Sequence, residues 1–380
     1  MDFNFTEEQL AIRDTAKDFA ENEIAPSSIE RDIKAEFPYE IVKKLGEFGF
    51  MGMMVSPDWG GPGFDTISYV LAMEEISKVD ASVGVIMSVN NSLVCFGIEK
   101  WGTDEQKEKF LRPLATGQKL GCFCLSEPEA GSDATHQKTE AVNDGDYYVL
   151  NGIKNWITNG TTADVYFLQA QTDHSKGYKG ISTFLIEKGT PGIELGVKED
   201  KLGIRSSDTC SVGLNNVRVH KDHLLGEEGM GFKIAMETLN GGRIGIAAQA
   251  LGIAQASLEA AVRYSKQRKA FDAPISKLQV IQFKLSDMAT NVDAARQLTY
   301  LAAWRKDQKL PFHREAAMAK LYSSRAAVQN ALESIQVHGG YGYVREYLVE
   351  RYLRDAKITE IYEGTTEIQK IVISRDILKD

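Results

Sequence analysis

Residues 120–133 read LGCFCLSEPEAGSD, and this stretch decides how the chain is divided. Its first half is a short apolar run, and a turn of small and acidic residues follows, which is the pattern of a strand and its turn. Before it, apolar residues recur with helical spacing, and no convincing alternating segment precedes residue 118. The chain therefore changes from helical to β structure at this point.

The segment before this change is predicted to be helical. Thr6 and Gln9 form a capping box, in which each side chain bonds the backbone of the other residue, ahead of apolar residues spaced along one helix face. Thr103 and Gln106 repeat the device before a short helix that we expect Pro113 to end. Residues 1–118 are accordingly assigned to an N-terminal helical domain.

Residues 119–226 are predicted to form a small β domain. Four apolar or β-branched runs follow one another at short spacing, over residues 120–125, 147–153, 165–171 and 181–187. Turn residues separate them, and Asn143, Asp144 and Gly145 form a tight-turn signal between two of the strands. This spacing favours a small barrel or sandwich.

Helical spacing returns after residue 226. One stripe steps by four and three residues along a single face, through Ile281, Leu285, Met288, Val292 and Ala295. Long helices with such stripes favour a bundle over residues 227–380. The predicted fold class is therefore mainly α with a central β domain.

Composition limits the classes of partner. The net charge of −9 leaves no basic face to neutralise a phosphate backbone, which disfavours nucleic acid. The first ten residues carry Asp2, Glu7 and Glu8 and lack the cationic and apolar regions of a signal peptide. No stretch approaches the roughly 20 uninterrupted apolar residues of a membrane span. We expect a soluble, cytoplasmic protein without a membrane partner.

Metal binding is not expected. The four cysteines, Cys95, Cys122, Cys124 and Cys210, lack the spacing of a zinc site or a disulfide framework, so free thiols are predicted. Cys122 and Cys124 point to one face of a strand, and burial as small apolar residues is the favoured interpretation. His220 and His223 could be ligands, but a solvated turn at a strand end is favoured.

Two segments of the β domain are candidates for ligand contact. Residues 126–133 end in a small-residue turn, whose hydroxyls and free N–H groups could contact the edge of a ring cofactor or a phosphate. Residues 156–160 combine Trp156 with a hydroxyl and a turn, and a Trp can stack on a planar ring. Local sequence favours simpler alternatives, a surface loop for the first and a core Trp for the second.

Two glycine-rich segments of the helical region are further candidates. Asn240, Gly241, Gly242 and Arg243 stand at what we expect to be the head of a helix, where bare backbone and a fixed cation suit a ligand. Residues 338–343 contain three glycines just after a helix, more than a helix stop requires. A loop or helix end without a ligand is an equal alternative for each.

The last candidate is Glu363, which lies in the segment 361–367. Apolar neighbours and a following glycine suggest burial, which would raise the pKa of its carboxyl and suit it to proton abstraction. Because the chain has 53 acidic residues, local sequence alone does not single it out.

Taken together and in this order, these segments resemble the acyl-CoA dehydrogenase family over essentially the whole chain. The matching stretches are 124–133, 156–160, 240–251, 268–271, 336–340 and 355–369. Short-chain, butyryl-type members look most similar, especially through residues 241–245 and 355–359. The resemblance implies an N-terminal helical domain, a central β domain and a C-terminal four-helix bundle, assembled as a homotetramer.

The resemblance implies that the chain binds FAD. Two stretches of the β domain and the segment after Glu363 would hold the flavin, through Phe123, Cys124, Leu125, Ser126, Gly131, Ser132, Trp156, Ile157, Thr158, Thr365 and Glu367. In the family, a neighbouring subunit's FAD is reached by the positions that match Arg268, Phe271, Gln279, Gln336, Gly339 and Gly340. Cofactor binding and assembly would then be coupled, and a guanidinium such as Arg268 suits a pyrophosphate.

The resemblance also implies the substrate contacts and the base. Acyl-CoA would be contacted or oriented by Ser132, Asn240, Arg243, Tyr362 and Gly364, and Glu363 matches the base. In the family, the thioester carbonyl accepts hydrogen bonds from the backbone N–H of the base and from FAD, which stabilises developing charge. Some members carry the base at the position of Gly242, where glycine cannot serve.

The implied reaction is dehydrogenation of a short-chain acyl-CoA to the trans-2-enoyl-CoA, a step of fatty acid β-oxidation. Electrons would pass to an electron-transferring flavoprotein. An acyl-CoA oxidase, which returns electrons to oxygen, and a branched short-chain acyl-CoA dehydrogenase are the alternatives. Asn240 stands where an aspartate is common, and Glu367 replaces a glutamine seen in some relatives.

Overall fold

The N-terminal region is helical in a computed structural model that describes residues 4–379. Asp2, used above in the prediction about export, lies outside the described residues. Both capping boxes form: Thr6 and Gln9 donate to each other at 3.0 and 3.1 Å, as do Thr103 and Gln106. The helices are α1 (Glu7–Phe19), α2 (Ala25–Lys34), α3 (Tyr39–Glu47), α4 (Thr66–Val79), α5 (Ala81–Ser88), α6 (Phe96–Trp101), α7 (Asp104–Gln106) and α8 (Arg112–Ala115).

Pro113 does not end the helix that follows the second capping box, so that prediction is wrong. A π-helical stretch, Lys107–Leu111, carries α7 into α8, and Pro113 lies in the first turn of α8. A proline is tolerated in a first turn because the N–H groups there have little demand for a helical acceptor. The helix ends at Ala115 instead.

The central region is a β domain, as predicted. Its strands are β1 (Gly121–Cys124), β2 (Glu140–Asp144), β3 (Tyr147–Thr158), β4 (Val165–Gln171), β5 (Ile181–Glu187), β6 (Ile193–Leu195), β7 (Thr209–His220) and β8 (Leu224–Leu225). They form one sheet in the order β6-β7-β3-β2-β4-β5-β8, and β1 pairs in parallel with β4. The predicted tight turn joins β2 to β3, with Gly145 at φ 70°.

The sheet folds over on itself. Tyr148 of β3 and Phe184 of β5 bring their ring centroids to 5.1 Å, although three strand spacings, about 14 Å in a flat sheet, separate their strands. Cys122, Cys124 and Cys210 belong to the same buried cluster. All four cysteines are free, as predicted, and all are buried, which was predicted for Cys122 and Cys124; the Sγ atoms of these two lie 3.6 Å apart.

The C-terminal region is a helical bundle, which confirms the remaining part of the fold prediction. Its helices are α9 (Gly231–Gln267), α10 (Gln279–Asp307), α11 (His313–His338), α12 (Val349–Thr359) and α13 (Thr366–Ile377), and two short strands, β9 (Lys269–Ala270) and β10 (Ala273–Pro274), precede α10. On α10, Met288, Val292 and Ala295 are buried along one face. The predicted stripe therefore faces the bundle core.

Two helical segments are long and apolar enough to cross a membrane, which the sequence analysis did not expect. They are Ala81–Trp101 and Gly231–Gln267, but 94% and 83% of their most apolar windows are buried inside the protein. Polar or charged residues interrupt both runs, so a search for uninterrupted apolar residues does not find them. Burial of this kind is typical of core helices of a soluble protein.

A buried ion-pair network joins the three regions, and we call it the junction network. Asp80 pairs with Arg31 at 2.7 Å and with Arg351 at 3.3 Å. Arg351 also pairs with Asp355 at 3.2 Å, and the other oxygen of Asp355 accepts the backbone N–H of Ile204 at 2.6 Å. The helices at both ends of the chain and the β domain are therefore held together at one point.

Candidate active site

Glu363 lies in the short loop between α12 and α13. Its backbone is left-handed, at φ 51°, and Gly364 follows at φ 90°. The Gly364 carbonyl accepts hydrogen bonds from Lys320 Nζ at 2.5 Å and from Gln369 Nε2 at 2.7 Å. Thr365 caps α13 by accepting from the Ile368 N–H. Because a non-glycine residue with positive φ is strained, these contacts are what holds the loop in place.

One oxygen of the Glu363 carboxylate, Oε2, is buried and has no hydrogen-bond partner in the described part of the chain. A Cβ placed on Gly242 would lie 2.1 Å from this atom and 2.7 Å from Leu93 Cδ2. Gly242 is therefore required as a glycine because the carboxylate occupies the space of its side chain. An unsatisfied buried oxygen of this kind calls for a ligand or a chemical role.

The surroundings of Glu363 set its ionisation. Burial raises the pKa of Glu363 to about 7, and the Lys320 and Arg243 cations oppose that rise. Arg243 is itself buried, which lowers its pKa to about 10. Its Nη1 donates to Asn240 Oδ1 at 2.7 Å, whereas its Nε has no partner among the described residues. The site therefore places the Glu363 carboxyl near two buried cations, Lys320 and Arg243, and neither cation is bonded directly to a carboxylate within residues 4–379.

The segment 240–243 is not the head of a helix, so that prediction is wrong. It lies inside the 37-residue helix α9, which begins at Gly231. Glycines are poor helix formers, but close packing against Glu363 and the neighbouring helices overrides that local preference. The two glycines also differ, because a Cβ on Gly241 would meet only Ser92 O at 3.7 Å and Lys306 Nζ at 3.9 Å.

Polar pairs close the space along α9 beyond the carboxylate. Tyr362 donates to Gln249 Oε1, and Gln249 Nε2 donates to the Ala81 carbonyl at 2.7 Å. One turn nearer Glu363, a Cβ on Gly245 would lie 2.6 Å from the Tyr69 hydroxyl. Residues 242, 245 and 249 share one helix face, so these groups line one side of a common space.

The two candidate segments of the β domain are brought together. The Asn155 N–H donates to the Ser126 carbonyl at 2.8 Å, and Lys154 Nζ donates to Leu125 O at 3.2 Å. The buried side chains of Cys124, Leu125 and Ile157 leave only backbone for a ligand, whereas Phe123, Ser126 and Thr158 are half-buried. The two segments therefore lie side by side where residues 125 and 126 meet residues 154 and 155.

Trp156 is not a core residue, and the simpler interpretation of this Trp is wrong. Its side chain is 62% exposed and its backbone is left-handed, at φ 61°. The register of β3 and β7 shifts between Lys154 and Ile157, and this irregularity turns the indole outward. In the neighbouring turn, a Cβ on Gly131 would meet nothing within 4 Å, and Ser132 is exposed.

A separate cavity of about 600 Å³ lies where α9 and α11 end. Arg268, His338, Gly339 and Gly340 are among the residues that line it. The backbone of Gly339, at φ 61°, ends α11, which confirms the predicted helix stop. A Cβ on either glycine would meet nothing within 4 Å, so bare backbone faces open space here.

Three other residues predicted to reach a neighbouring subunit's cofactor do not line this cavity. Phe271, Gln279 and Gln336 are all exposed, and Phe271 has a left-handed backbone at φ 53°. Thr365 and Glu367 lie in the loop and first turn of α13 beside Glu363. No group of three or more metal-ligating side chains occurs within residues 4–379.

Sequence reasoning missed several residues of the site. Lys320 on α11, Gln249 on α9 and Tyr69 on α4 all reach the surroundings of Glu363. Each is a polar residue on an otherwise apolar helix face, which was the available signal. That signal does not say which partner such a residue meets, because the partner is distant in sequence.

Known protein families match the chain along most of its length. Residues 6–118, 122–217 and 229–378 match the N-terminal, middle and C-terminal domains of acyl-CoA dehydrogenase, respectively. The chain therefore belongs to the acyl-CoA dehydrogenase family. It is an acyl-CoA dehydrogenase in class and, like the members of that family, an FAD flavoprotein.

Individual relatives show which members of the family the chain is similar to. The chain is 54% identical over 368 residues to the mitochondrial short-chain specific acyl-CoA dehydrogenase of Mus musculus, covering 97% of this chain and 89% of that protein. Butyryl-CoA dehydrogenase of Megasphaera elsdenii is similar with a TM-score of 0.98 and 49% identity, over 100% of both chains.

A third similar chain comes from a structure described as "Electron transferring flavoprotein of Acidaminococcus fermentans: Towards a mechanism of flavin-based electron bifurcation". It has a TM-score of 0.99 and 50% identity, over 100% of both chains.

The residues present fit FAD. Gly131, Gly339 and Gly340 present backbone to open space, and Trp156 is an exposed aromatic face beside Ser126 and Thr158. Such features suit a ring cofactor with phosphates, since bare N–H groups and a guanidinium bind phosphate and an indole stacks on a ring. When bound, FAD supplies the acceptor for the substrate hydride.

Proposed function

We propose that the chain is a short-chain acyl-CoA dehydrogenase in which Glu363 removes the α-proton of the substrate. The observation that carries this proposal is the buried Oε2 of Glu363, which has no partner within residues 4–379. Burial raises the pKa of Glu363 to about 7. At neutral pH the carboxyl is therefore partly ionised, and its ionised form is a stronger base than an ordinary carboxylate.

The groups around the base suit a thioester. In the described part of the chain, no backbone carbonyl accepts the N–H of Glu363, which leaves this donor for the thioester oxygen. Arg243 and Asn240 lie on the adjacent turn of α9, and Tyr362 and Gly364 flank the base. Ser132 is exposed in the β-domain turn. We assign the five residues to acyl-CoA binding.

The space along α9 supports a short acyl chain. Gln249 lies two helical turns from Gly242, about 10 Å along the axis. The hydrogen bond between Tyr362 and Gln249 fills that end of the space with polar side chains. A longer acyl chain would have to break this pair and leave buried polar groups unsatisfied. The similarity to butyryl-CoA dehydrogenase agrees with this proposal.

We further propose that electrons leave for an electron-transferring flavoprotein. The similarity to a chain from a structure of the Acidaminococcus fermentans system supports this acceptor. Nothing in the site favours an oxidase that uses oxygen or a branched substrate. The cytoplasmic location stays a prediction.

Assembly as a homotetramer is also a proposal. Large apolar side chains are exposed on α10, among them Val280, Phe283 and Trp304, and such residues favour contact with another chain. Arg268, Phe271, Gln279, Gln336, Gly339 and Gly340 lie at the exposed end of the bundle. They would then contact the FAD of the neighbouring subunit.

The test is an anaerobic titration of the yellow protein with straight and branched acyl-CoAs, following the loss of flavin absorbance. We expect butyryl-CoA to bleach the flavin more completely and at lower concentration than octanoyl-CoA or isovaleryl-CoA. Preference for the longer or branched substrate would overturn the short-chain proposal. Rapid formation of stoichiometric peroxide after admission of air, with product bound, would overturn the choice of acceptor.

A further inference from the structure

Lys320 is a buried lysine that reaches the Glu363 loop from α11. Only 1% of its surface is exposed, and its Nζ donates to the Gly364 carbonyl at 2.5 Å. No carboxylate among the described residues bonds its ammonium directly, and the charges of Glu363, Glu360 and Glu367 act on it from longer range. A buried ammonium normally needs closer compensation than this.

Lys154 in the β domain shows what such compensation looks like. It is completely buried, and its Nζ donates to Glu127 Oε1 and Gln137 Oε1, each at 2.8 Å, and to Leu125 O at 3.2 Å. Lys320 has one neutral acceptor in place of an ion pair, and burial lowers its pKa to about 7. Stability alone does not explain a lysine in this position.

The acceptor of the Lys320 hydrogen bond belongs to the strained part of the loop. Glu363 and Gly364 both have positive φ, and Gln369 Nε2 donates to the carbonyls of both residues, at 3.3 and 2.7 Å. Lys320 approaches the Gly364 carbonyl from a different helix. The two donors together fix the Gly364–Thr365 peptide, and Gln369 also holds the Glu363 carbonyl, so the backbone that carries the Glu363 side chain is restrained.

The charges around this pair are few. Arg243 of α9 and Lys320 of α11 are the cations that act on Glu363. The phenols of Tyr69 and Tyr362 also face it, but burial raises the pKa of each well above its usual range, so both stay neutral. Glu360 at the end of α12 and Glu367 on α13 act on Lys320. Within residues 4–379, Lys320 is therefore one of two charged groups that favour the ionised form of Glu363.

We propose that Lys320 is a positioning residue for Glu363: it anchors the Gly364 carbonyl and, in its protonated form, supplies a cation that favours ionisation of the neighbouring carboxylate. The inference rests on the proposed function of Glu363 as the base. Arg243, the other cation, bonds Asn240 and does not touch the loop carbonyl. Lys320 alone therefore combines a charge with a backbone anchor.

Two substitutions separate the charge from the anchor. Lys320→Gln keeps a hydrogen-bond donor and removes the charge, whereas Lys320→Met removes both. The readout is the rate of anaerobic flavin bleaching by butyryl-CoA, measured by stopped flow on the FAD-loaded protein between about pH 6 and 9.

In both variants we expect the acid limb of the rate profile to move up by about one pH unit, with an approximately fivefold slower rate at pH 7. Lys320→Gln should keep the rate plateau at high pH, and Lys320→Met should lower it. Lys320→Arg should return the limb toward that of the unmodified protein.

The matched control is Lys201→Met. Lys201 is a partly buried lysine of the β domain that also bonds a single backbone carbonyl, that of Ser207 at 2.7 Å. Burial lowers its pKa to about 8, and Glu363 is not among the charges that act on it. This variant should leave the acid limb where it is.

Acid limbs of both Lys320 variants that coincide with the limb of the unmodified protein would overturn the charge role. An unchanged plateau in Lys320→Met would overturn the anchor. If Lys320→Met yields no yellow protein, Lys320→Gln still decides the role of the charge. Failure of the proposed function would look different, because the unmodified protein would not bleach or Glu363→Gln would bleach normally.

Discussion

Two buried carboxylates lie close together in sequence and differ in how their oxygens are hydrogen-bonded. Burial raises the pKa of Asp355 to about 6 and that of Glu363 to about 7. Asp355 accepts hydrogen bonds from Ile204 N–H at 2.6 Å and Arg351 Nε at 3.2 Å. Glu363 Oε2 accepts from nothing in the described part of the chain. The raised pKa is common to both carboxyls, so it does not by itself distinguish them, whereas the hydrogen bonding of their oxygens does.

The two acids also differ in what surrounds them. Asp355 is part of the junction network, where Asp80 and Arg351 lock the helices against each other. Glu363 has a left-handed backbone, and its carboxylate occupies the space beside Gly242. The cations Lys320 and Arg243 act on it from longer range. The arrangement around Asp355 stabilises the fold, and the arrangement around Glu363 fits its proposed role as the base.

Glu363→Gln should abolish most of the activity and leave the fold intact. Loss of the base is expected to slow anaerobic bleaching by butyryl-CoA by about 10²–10⁴-fold. FAD and CoA binding should persist, since the amide keeps the shape of the carboxyl. Flavin absorbance and thermal melting serve as controls. Normal bleaching would refute the assignment of Glu363.

Asp355→Asn should lower the stability of the fold and leave the activity of the folded protein nearly unchanged. The change leaves Arg351 with one carboxylate partner in place of two, and we expect a loss of about 3 kcal/mol in the free energy of unfolding, because Asp80 still pairs with it. The measurement is urea denaturation followed by circular dichroism. The bleaching rate of the folded, yellow fraction should change little. A catalytic defect without a loss of stability would contradict the contrast between the two acids.

Gly242→Ala and Gly241→Ala form a matched pair on α9. At Gly242 the new methyl would lie 2.1 Å from Glu363 Oε2, so we expect about 1–3 kcal/mol of destabilisation and a displaced base. At Gly241 the nearest neighbours lie 3.7 and 3.9 Å away, and alanine should stabilise the helix by about 0.5–1 kcal/mol. Thermal melts and bleaching rates check both. Equal effects of the two substitutions would show that Glu363 does not occupy this space.

The pH dependence of stability should carry the signature of Glu363. Its pKa rises from an ordinary 4.5 to about 7 in the folded protein, so the folded state binds more protons between those values. Stability from this group is therefore lost as the pH rises, by about 2 kcal/mol between about pH 5 and 7.

Denaturation midpoints across this range should fall less steeply in Glu363→Gln than in the unmodified protein. Asp355 contributes a slope of the same sign at lower pH, which both proteins retain. Identical slopes would mean that the Glu363 carboxyl is not buried in solution.

Gln249→Ala should change which substrate is preferred. Removing the partner of the Tyr362 hydroxyl opens the end of the space along α9. We expect the ratio of hexanoyl-CoA to butyryl-CoA bleaching rates to rise by about tenfold, the effect of one or two methylenes in an apolar pocket. Gln255→Ala, on an outward position of the same helix, is the control. An unchanged ratio would argue against this pair as the limit on chain length.

Much of the fold was predictable from local sequence. The capping box at Thr6, the turn at Gly145 and the helix stop at Gly339 each depend on residues within a few positions of one another. The strands Val165–Gln171 and Ile181–Glu187 were predicted with the bounds they have. The errors fall where packing overrides local preference, as in the continuous helix through Gly241 and the outward turn of Trp156.

The features of the site also separate into those that local sequence predicts and those that packing decides. The order of helical and β regions and the family could be predicted from the sequence, because periodicity, turns and motifs depend on neighbouring residues. The choice of Glu363 came from the resemblance to the family and stays a prediction. Only the tertiary structure decided that Glu363 occupies the space over Gly242, that Lys320 holds the next carbonyl and that Oε2 has no partner. Burial and charge depend on residues that are distant in sequence, and folding brings them within a few ångströms of the carboxylate.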